Sequence, residues 1–113
     1  MTILIYALKR GFEVQKAERY FKERGIPIQA VDLKKRPIGL RELRAVAAKT
    51  GVRALIDEAS PLYRESTLPY LRGDEAILEA LSKRPALLVT PIVRNGALAT
   101  VGYRPEVWDG WRA

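Results

Sequence analysis

The spacing of apolar positions changes several times along the chain, and each change predicts a new element. Residues 2–8 form a continuous apolar, β-branched run, which is typical of a buried strand. Over residues 12–24 the apolar positions recur at helical spacing, with the pair Glu18 and Lys22 expected on the solvent face. A second strand is predicted over residues 27–33. Strand, crossover helix and strand make a unit whose two strands are parallel.

The middle of the chain predicts helices and irregular segments. Helical spacing covers residues 40–50, and Asp74 is placed to cap a further helix over residues 75–83. Between these two helices we expect a short helical turn or two over residues 52–58. An irregular, proline-containing stretch follows, with Tyr70 among its buried anchors.

Two short apolar runs near the end of the chain predict a hairpin. They flank Asn95-Gly96, a dipeptide that tolerates positive φ and closes tight antiparallel turns. Pro91 interrupts the first run, and the Thr90–Pro91 bond is a candidate for the cis form because X-Pro bonds adopt it readily. A last short helix is expected to begin at Pro105, which suits a first helical turn.

The order of these elements is β-α-β, a block of helices, and then β-β-α. It predicts an α/β fold with a mixed four-stranded sheet flanked by helices, the thioredoxin-like layout with a helical insertion. We expect one domain over residues 1–113, with its core in residues 1–36 and 86–113 and the insertion in residues 37–85.

The composition restricts the chemistry more than it indicates it. The chain has no Cys and no His, which excludes thiol redox chemistry, thiolate or imidazole metal ligation, and Ser-His or Cys-His nucleophiles. We therefore expect no metal and no cofactor. No apolar run approaches the ~20 residues that span a bilayer, and the start lacks a basic leader, so a cytoplasmic protein is expected. The scarcity of thermolabile residues weakly favours a thermophilic source.

A formal net charge of +7 would suit acidic partners such as nucleic acid. The basic residues are spread along the whole chain, however, and a nucleic-acid footprint should cluster. The densest run is Lys34, Lys35 and Arg36, which is either a contact for phosphate or an acidic protein face, or a solvated loop. Because of the net charge, nucleic-acid binding is kept as an alternative.

Short motifs spaced along nearly the whole chain resemble the arsenate reductase/Spx family of the thioredoxin-like fold. Each is weak alone, and their order carries the resemblance. They are Ile5-Tyr6, Lys16-Ala17, Gly25-Ile26, Lys35 with Pro37, Glu42-Leu43, residues 51–56, Tyr63, the helix from Asp74-Glu75 to Pro85, Pro91-Ile92-Val93 and Val101-Gly102-Tyr103.

The resemblance fails at the positions that would carry the family's chemistry. Reductases of this family place a nucleophilic cysteine where this chain has Gly11, and the Spx-type redox switch has a second cysteine where it has Val14. Arginines that hold the oxyanion in the family correspond here to Gln15, Asp57 and Thr90. The resemblance therefore implies the fold and argues against the activity. It favours a non-catalytic, macromolecule-binding or regulatory protein, with RNA polymerase as the partner by family analogy.

An anion site at the start of the first helix is an alternative function, because free N–H groups and the helix dipole favour negative charge there. It would make the chain a thiol-independent enzyme that binds an anion or glutathione, although Glu13 opposes it. A solvated basic loop before an ordinary helix is the simpler interpretation. The candidate residues are Lys9, Arg10, Gly11, Phe12, Lys16 and Thr90.

The neighbouring carboxylates Asp57 and Glu58 are expected to serve local ion pairs, since adjacent helical side chains rarely share a site. The oligomeric state is left open by the sequence.

Overall fold

The structure is a computed structural model that describes residues 2–9 and 11–112. The elements, in chain order, are β1 (Ile3–Ala7), α1 (Phe12–Glu23), β2 (Ile28–Asp32), α2 (Leu40–Thr50), α3 (Pro61–Glu65), α4 (Asp74–Lys83), β3 (Ile92–Asn95), β4 (Leu98–Val101) and α5 (Pro105–Trp108), with 3₁₀ turns at Arg53–Leu55, Leu68–Tyr70, Pro85–Leu87 and Asp109–Arg112. Within the described ranges, no helix is long and apolar enough to cross a membrane.

The strands form a mixed four-stranded sheet in the order β2-β1-β3-β4. β1 pairs with β2 in parallel, with Ile5 opposite Ala30, and with β3 antiparallel, with Ile5 opposite Val93. β3 and β4 form the C-terminal hairpin. This is the predicted thioredoxin-like arrangement, and α2, α3 and α4 all lie in the chain between β2 and β3.

A Schellman motif ends α1, as the glycine after it predicts. Gly25 has φ +67°, its N–H donates to the Lys22 carbonyl, and the Ile26 N–H donates to the Phe21 carbonyl.

The solvent face of α1 differs from the expectation at one position. Glu18 is buried with Val14 and Ala17 rather than exposed, because its side chain lies on the side of α1 that faces the strand residues Ala30 and Asp32, with which it lines one cavity.

The sheet separates two hydrophobic clusters. On one face, α1 and α5 cover β1 and β3 through Phe21, Val93 and Trp108, all at most 1% exposed. On the other face, the interhelical block packs through a larger cluster that includes Leu43 of α2 and Leu81 of α4. Both faces of the central strands are therefore buried.

Several predictions for the middle of the chain need correction. Gly73, with φ +86°, is the N-cap of α4, and Asp74 is its first helical residue with no capping hydrogen bond from Gly73. The stretch predicted as irregular contains the short helix α3, whose N-cap Ser60 accepts from the Leu62 N–H at 3.2 Å. Tyr70 is 82% exposed rather than a buried anchor, while nearby Leu68 is buried.

The hairpin turn lies one residue later than Asn95-Gly96 suggests. Asn95 pairs with Leu98 inside the ladder, so the two-residue loop is Gly96-Ala97. Gly96 has φ +58°, and among the described residues only glycines have positive φ, which indicates a type II′ turn. Before the hairpin, the Thr90–Pro91 peptide bond is cis. This confirms the isomer that the sequence suggested for this bond.

Candidate functional site

A groove of about 560 Å³ lies between the start of α1 and the Thr90–Pro91 turn. Its walls bring together residues far apart in the chain, Gly11 and Phe12 at the helix start, Asp57 and Ser60 after α2, and Thr90 before β3. Most of this assembly follows from the sheet topology, because β1 and β3 are adjacent and each leads into or out of a groove wall. We refer to this depression as the groove.

The position at which the family resemblance places a nucleophile offers only backbone. Gly11 is the N-cap of α1 with φ −89°, and a Cβ built there would meet nothing within 4 Å. Val14, which also lines the groove, is 7% exposed and packs into the cluster beneath α1. Gly11 itself therefore brings no side-chain nucleophile to the groove.

The described charges that line the groove are Lys9, Glu13 and Asp57, one cation and two carboxylates. Glu13 faces the C-terminal segment as well, since a Cβ at Gly102 would lie 3.5 Å from its Oε2. The backbone at Asp57 is held in place by its N–H, which donates to the Leu87 carbonyl at 2.9 Å. Two carboxylates in a groove oppose the binding of a multiply charged anion.

The residues of the candidate anion site do not all meet. Lys9, Gly11, Phe12 and Thr90 line the groove. Lys16 lies outside it, with its Nζ 5.2 Å from the Phe12 ring centroid and 5.4 Å from the Tyr103 ring centroid. Arg10 lies outside the described residues.

The other sequence candidates lie apart from the groove. Gln15 is exposed on α1 and is not among the residues that line it. Glu58 lies 3.9 Å from Arg53 in an exposed ion pair, whereas its neighbour Asp57 faces the groove. The two adjacent carboxylates therefore have separate surroundings.

The basic run Lys34, Lys35 and Arg36 forms an exposed turn directly after β2. Asp32 holds it, because its Oδ1 accepts from the Lys34 N–H at 3.0 Å and its carbonyl accepts from the next two N–H groups. The run is thus a capped turn in which a carboxylate accompanies the three cations.

Sequence reasoning missed a polar cluster on the α2 side of the sheet. The Tyr6 hydroxyl donates to Glu42 Oε2 at 2.7 Å, and Arg94 Nη1 lies 3.8 Å from the same oxygen. Burial raises the pKa of Tyr6, and the bond to Glu42 raises it further, while Arg94 works in the opposite direction. These residues lie on β1, α2 and β3, so no local pattern in the sequence could have linked them.

Replacing Tyr6 by phenylalanine is expected to flatten the dependence of stability on alkaline pH. A raised pKa means that Tyr6 contributes stability fully below its unfolded pKa of about 10 and loses that contribution as pH rises through the higher folded value. At neutral pH the variant should lose about 1 kcal/mol, the value of one hydrogen bond. Urea unfolding from pH 7 to 11 measures both effects, and parallel pH profiles for the two proteins would contradict the assignment. Tyr63→Phe is the matched control.

Among the described residues, no group of three or more His, Cys, Asp or Glu side chains could hold a metal ion.

Comparison with known proteins gives a consistent family assignment. The ArsC family model matches residues 6–110. The chain is 31% identical over 111 residues to an arsenate reductase of Haemophilus influenzae, covering 94% of this chain and 95% of that protein. It is 28% identical over 112 residues to the global transcriptional regulator Spx 2 of Oceanobacillus iheyensis, covering 94% and 80%. A solved arsenate reductase from Vibrio cholerae superposes with a TM-score of 0.83 at 25% identity, covering 95% and 94%.

Proposed function

Because the chain belongs to the ArsC family, we propose that it is a member that keeps the family's fold without its thiol chemistry. The observation that supports this proposal is the bare backbone at Gly11, in a groove that also contains Glu13 and Asp57. Thiol chemistry requires a thiolate, stabilised by a helix N-terminus and neighbouring cations. Here the helix N-terminus is present, the sulfur is absent, and carboxylates outnumber cations among the described lining residues.

We propose further that the groove binds another protein and that the chain has a regulatory role. The groove has an exposed aromatic ring at its rim, since Phe12 is 77% exposed, and aromatic residues are enriched in protein interfaces. The likeness to a transcriptional regulator makes RNA polymerase the first partner to test. That choice rests on analogy within the family.

The chain is expected to show no arsenate reduction with glutathione or thioredoxin as the electron donor. The reaction needs a protein sulfur to attack arsenate, and this chain has no cysteine. Product formation should equal that of a blank without protein, while a cysteine-containing arsenate reductase turns over in the same assay. Turnover above the blank would overturn the non-catalytic assignment. This holds whether or not the turnover persists in the Gly11→Ala variant.

Binding to the purified α subunit of RNA polymerase from the same source organism is expected to depend on the groove. Asp57→Lys reverses a charge inside the groove and should weaken binding by roughly 10-fold or more, as charge reversal within an interface does. Glu65→Lys, an equal change outside the groove, is the matched control. Titration by biolayer interferometry measures both. Absence of binding by the unaltered protein would remove RNA polymerase α as the partner, and equal losses in both variants would place the contact elsewhere.

Thiol-independent anion binding is the second candidate, supported by the presence of Lys9 and Thr90 on one groove next to the start of α1. Calorimetric titration with phosphate, sulfate, arsenate and glutathione distinguishes it from protein binding. Because Glu13 and Asp57 line the groove, we expect no heat of binding with any of these four ligands.

Nucleic-acid binding, which the charge of +7 would favour, predicts a steep loss of affinity for duplex or single-stranded probes as salt rises.

A further inference from the structure

The fold brings two basic segments of the chain to one end of the molecule. One is the turn over residues 34–36, directly after β2, and the other is residues 83–84 at the end of α4. The Ser82 hydroxyl donates to the Ile38 carbonyl at 3.1 Å, so the last turn of α4 meets the segment that follows the basic turn. We call these exposed cations the basic end, which consists of Lys34, Lys35, Arg36, Lys83 and Arg84.

Packing between α2 and α4 holds the two basic segments in place. Arg44 of α2 pairs with Glu75 in the first turn of α4. At the other end of α4, Ser82 contacts Ile38 just before α2 begins. The two helices are therefore antiparallel, and the start of α2 lies beside the end of α4. Ile38 is 1% exposed and Leu81 has no exposed surface, so a buried residue anchors each basic segment.

Two of the carboxylates near the basic end have a cation of their own. Asp32 lines a cavity together with Lys9. Glu42 Oε2 lies 3.8 Å from Arg94 Nη1. Each of these two carboxylates is therefore offset by a cation that does not belong to the basic end.

Two further carboxylates, Glu65 and Glu79, oppose the basic end. Glu65 lines a cavity together with Lys83 and Arg84. Glu79 is exposed one turn before Lys83 on α4. Arg41, exposed in the first turn of α2, adds a sixth cation at the same end. Cations therefore outnumber these two carboxylates, and the surface is positive.

The chemistry of the basic end suits a phosphate backbone better than the surface of a protein. Large apolar side chains that the structure describes as exposed lie in other segments, at Phe12, Tyr70, Leu98, Tyr103 and Val107. Stable protein interfaces are anchored by buried side chains of that kind. Cations gain affinity for nucleic acid without an apolar anchor, because they release the counterions of its phosphates. Charge complementarity at the basic end therefore favours nucleic acid.

We propose that the basic end binds the phosphate backbone of nucleic acid without reading its sequence. Phosphate contacts position a protein on nucleic acid but carry no sequence information. None of the five cations lines the groove. The inference thus gives nucleic-acid binding a definite surface, and it does not depend on the protein-binding role proposed for the groove.

The proposal is tested by fluorescence anisotropy of a labelled DNA duplex over a range of salt concentrations. Affinity should fall steeply as salt rises, with a log–log slope of about −4.5 if each of the five cations contacts one phosphate. A duplex of unrelated sequence should bind equally well. A polyglutamate peptide should bind roughly 10-fold more weakly, because its charges are less densely spaced than those of a duplex.

Two double variants separate the basic end from the net charge. Lys35→Gln with Lys83→Gln removes one cation from each basic segment, and it should weaken duplex binding roughly 10-fold and reduce the salt slope by about 2. Lys22→Gln with Lys49→Gln removes the same charge from exposed positions on α1 and at the far end of α2. This control should keep the duplex affinity within about twofold, because salt screens distant charges.

Equal losses in the two double variants would overturn the proposal, because binding would then depend on the net charge alone. Absent or salt-independent duplex binding, or different affinities for duplexes of unrelated sequence, would overturn it as well. Polyglutamate that binds as tightly as the duplex would make the partner an acidic protein. None of these results bears on binding at the groove, because neither double variant changes a residue that lines it.

Discussion

Replacing Trp108 by alanine is expected to lower the free energy of unfolding by about 3–5 kcal/mol, the range for truncation of a large buried aromatic residue. Trp108 has no exposed surface, and its ring centroid lies 5.1 Å from that of Tyr20 and 5.0 Å from that of Phe21. Its indole Nε1 also donates to Thr100 Oγ1 at 2.8 Å inside the core. The variant would lose the contacts that hold α5 onto the sheet and leave Thr100 without its donor.

Conservative variants separate packing from the hydrogen bond. Trp108→Phe keeps a ring and removes the donor, and it should cost clearly less than alanine. Trp111→Ala, at a partly buried position nearby, is the control for loss of an indole at the C-terminal end. Urea unfolding followed by far-ultraviolet circular dichroism measures all three without relying on tryptophan emission. A loss below about 1 kcal/mol for Trp108→Ala would contradict the described packing.

Leu43→Ala should destabilise the opposite face of the sheet by about 2–5 kcal/mol, as expected for truncation of a buried leucine. Leu43 has no exposed surface and belongs to the cluster that joins α2 with α4 and the sheet. The helix that carries it packs against both β4 and α4, so a cavity there cannot collapse without moving two elements.

The matched control for Leu43 is Arg41→Ala, which changes an exposed residue on the same helix and should stay within about 0.5 kcal/mol of the unaltered protein. Because the sheet separates the two clusters, the losses from Trp108→Phe and Leu43→Ala should add within about 0.5 kcal/mol. A larger coupling energy would show that the two clusters behave as one unit.

The strands and longer helices could be predicted from the sequence because their apolar spacing is unambiguous. α2 begins and ends at the predicted residues, and α1 differs by one. Errors arose where local signals compete. Gly96 rather than Asn95 is the first loop residue, because Asn95 pairs with Leu98 and so belongs to β3. Gly73, not Asp74, caps α4.

Part of the site could also be anticipated, because the family resemblance grouped Gly11, Gln15, Asp57 and Thr90, and all of these except Gln15 line the groove. The burial of Glu18 and the contact between Tyr6 and Glu42 could not. Such features depend on how elements pack, and periodicity within one element does not contain that information. Lys16 shows the same limit, since its Nζ lies near the rings of Phe12 and Tyr103 and its side chain does not line the groove.

The pairing of β1 with β3 joins Leu4 to Arg94, residues that are far apart in the chain. During synthesis, β1 must therefore wait until the chain has emerged from the ribosome as far as β3 before this central partner is available. Closing so long a loop is slow, because its entropy is lost before the contacts that reward it form. The nascent N-terminal segment, apolar and temporarily without that partner, is the part of this protein that would gain most from a chaperone.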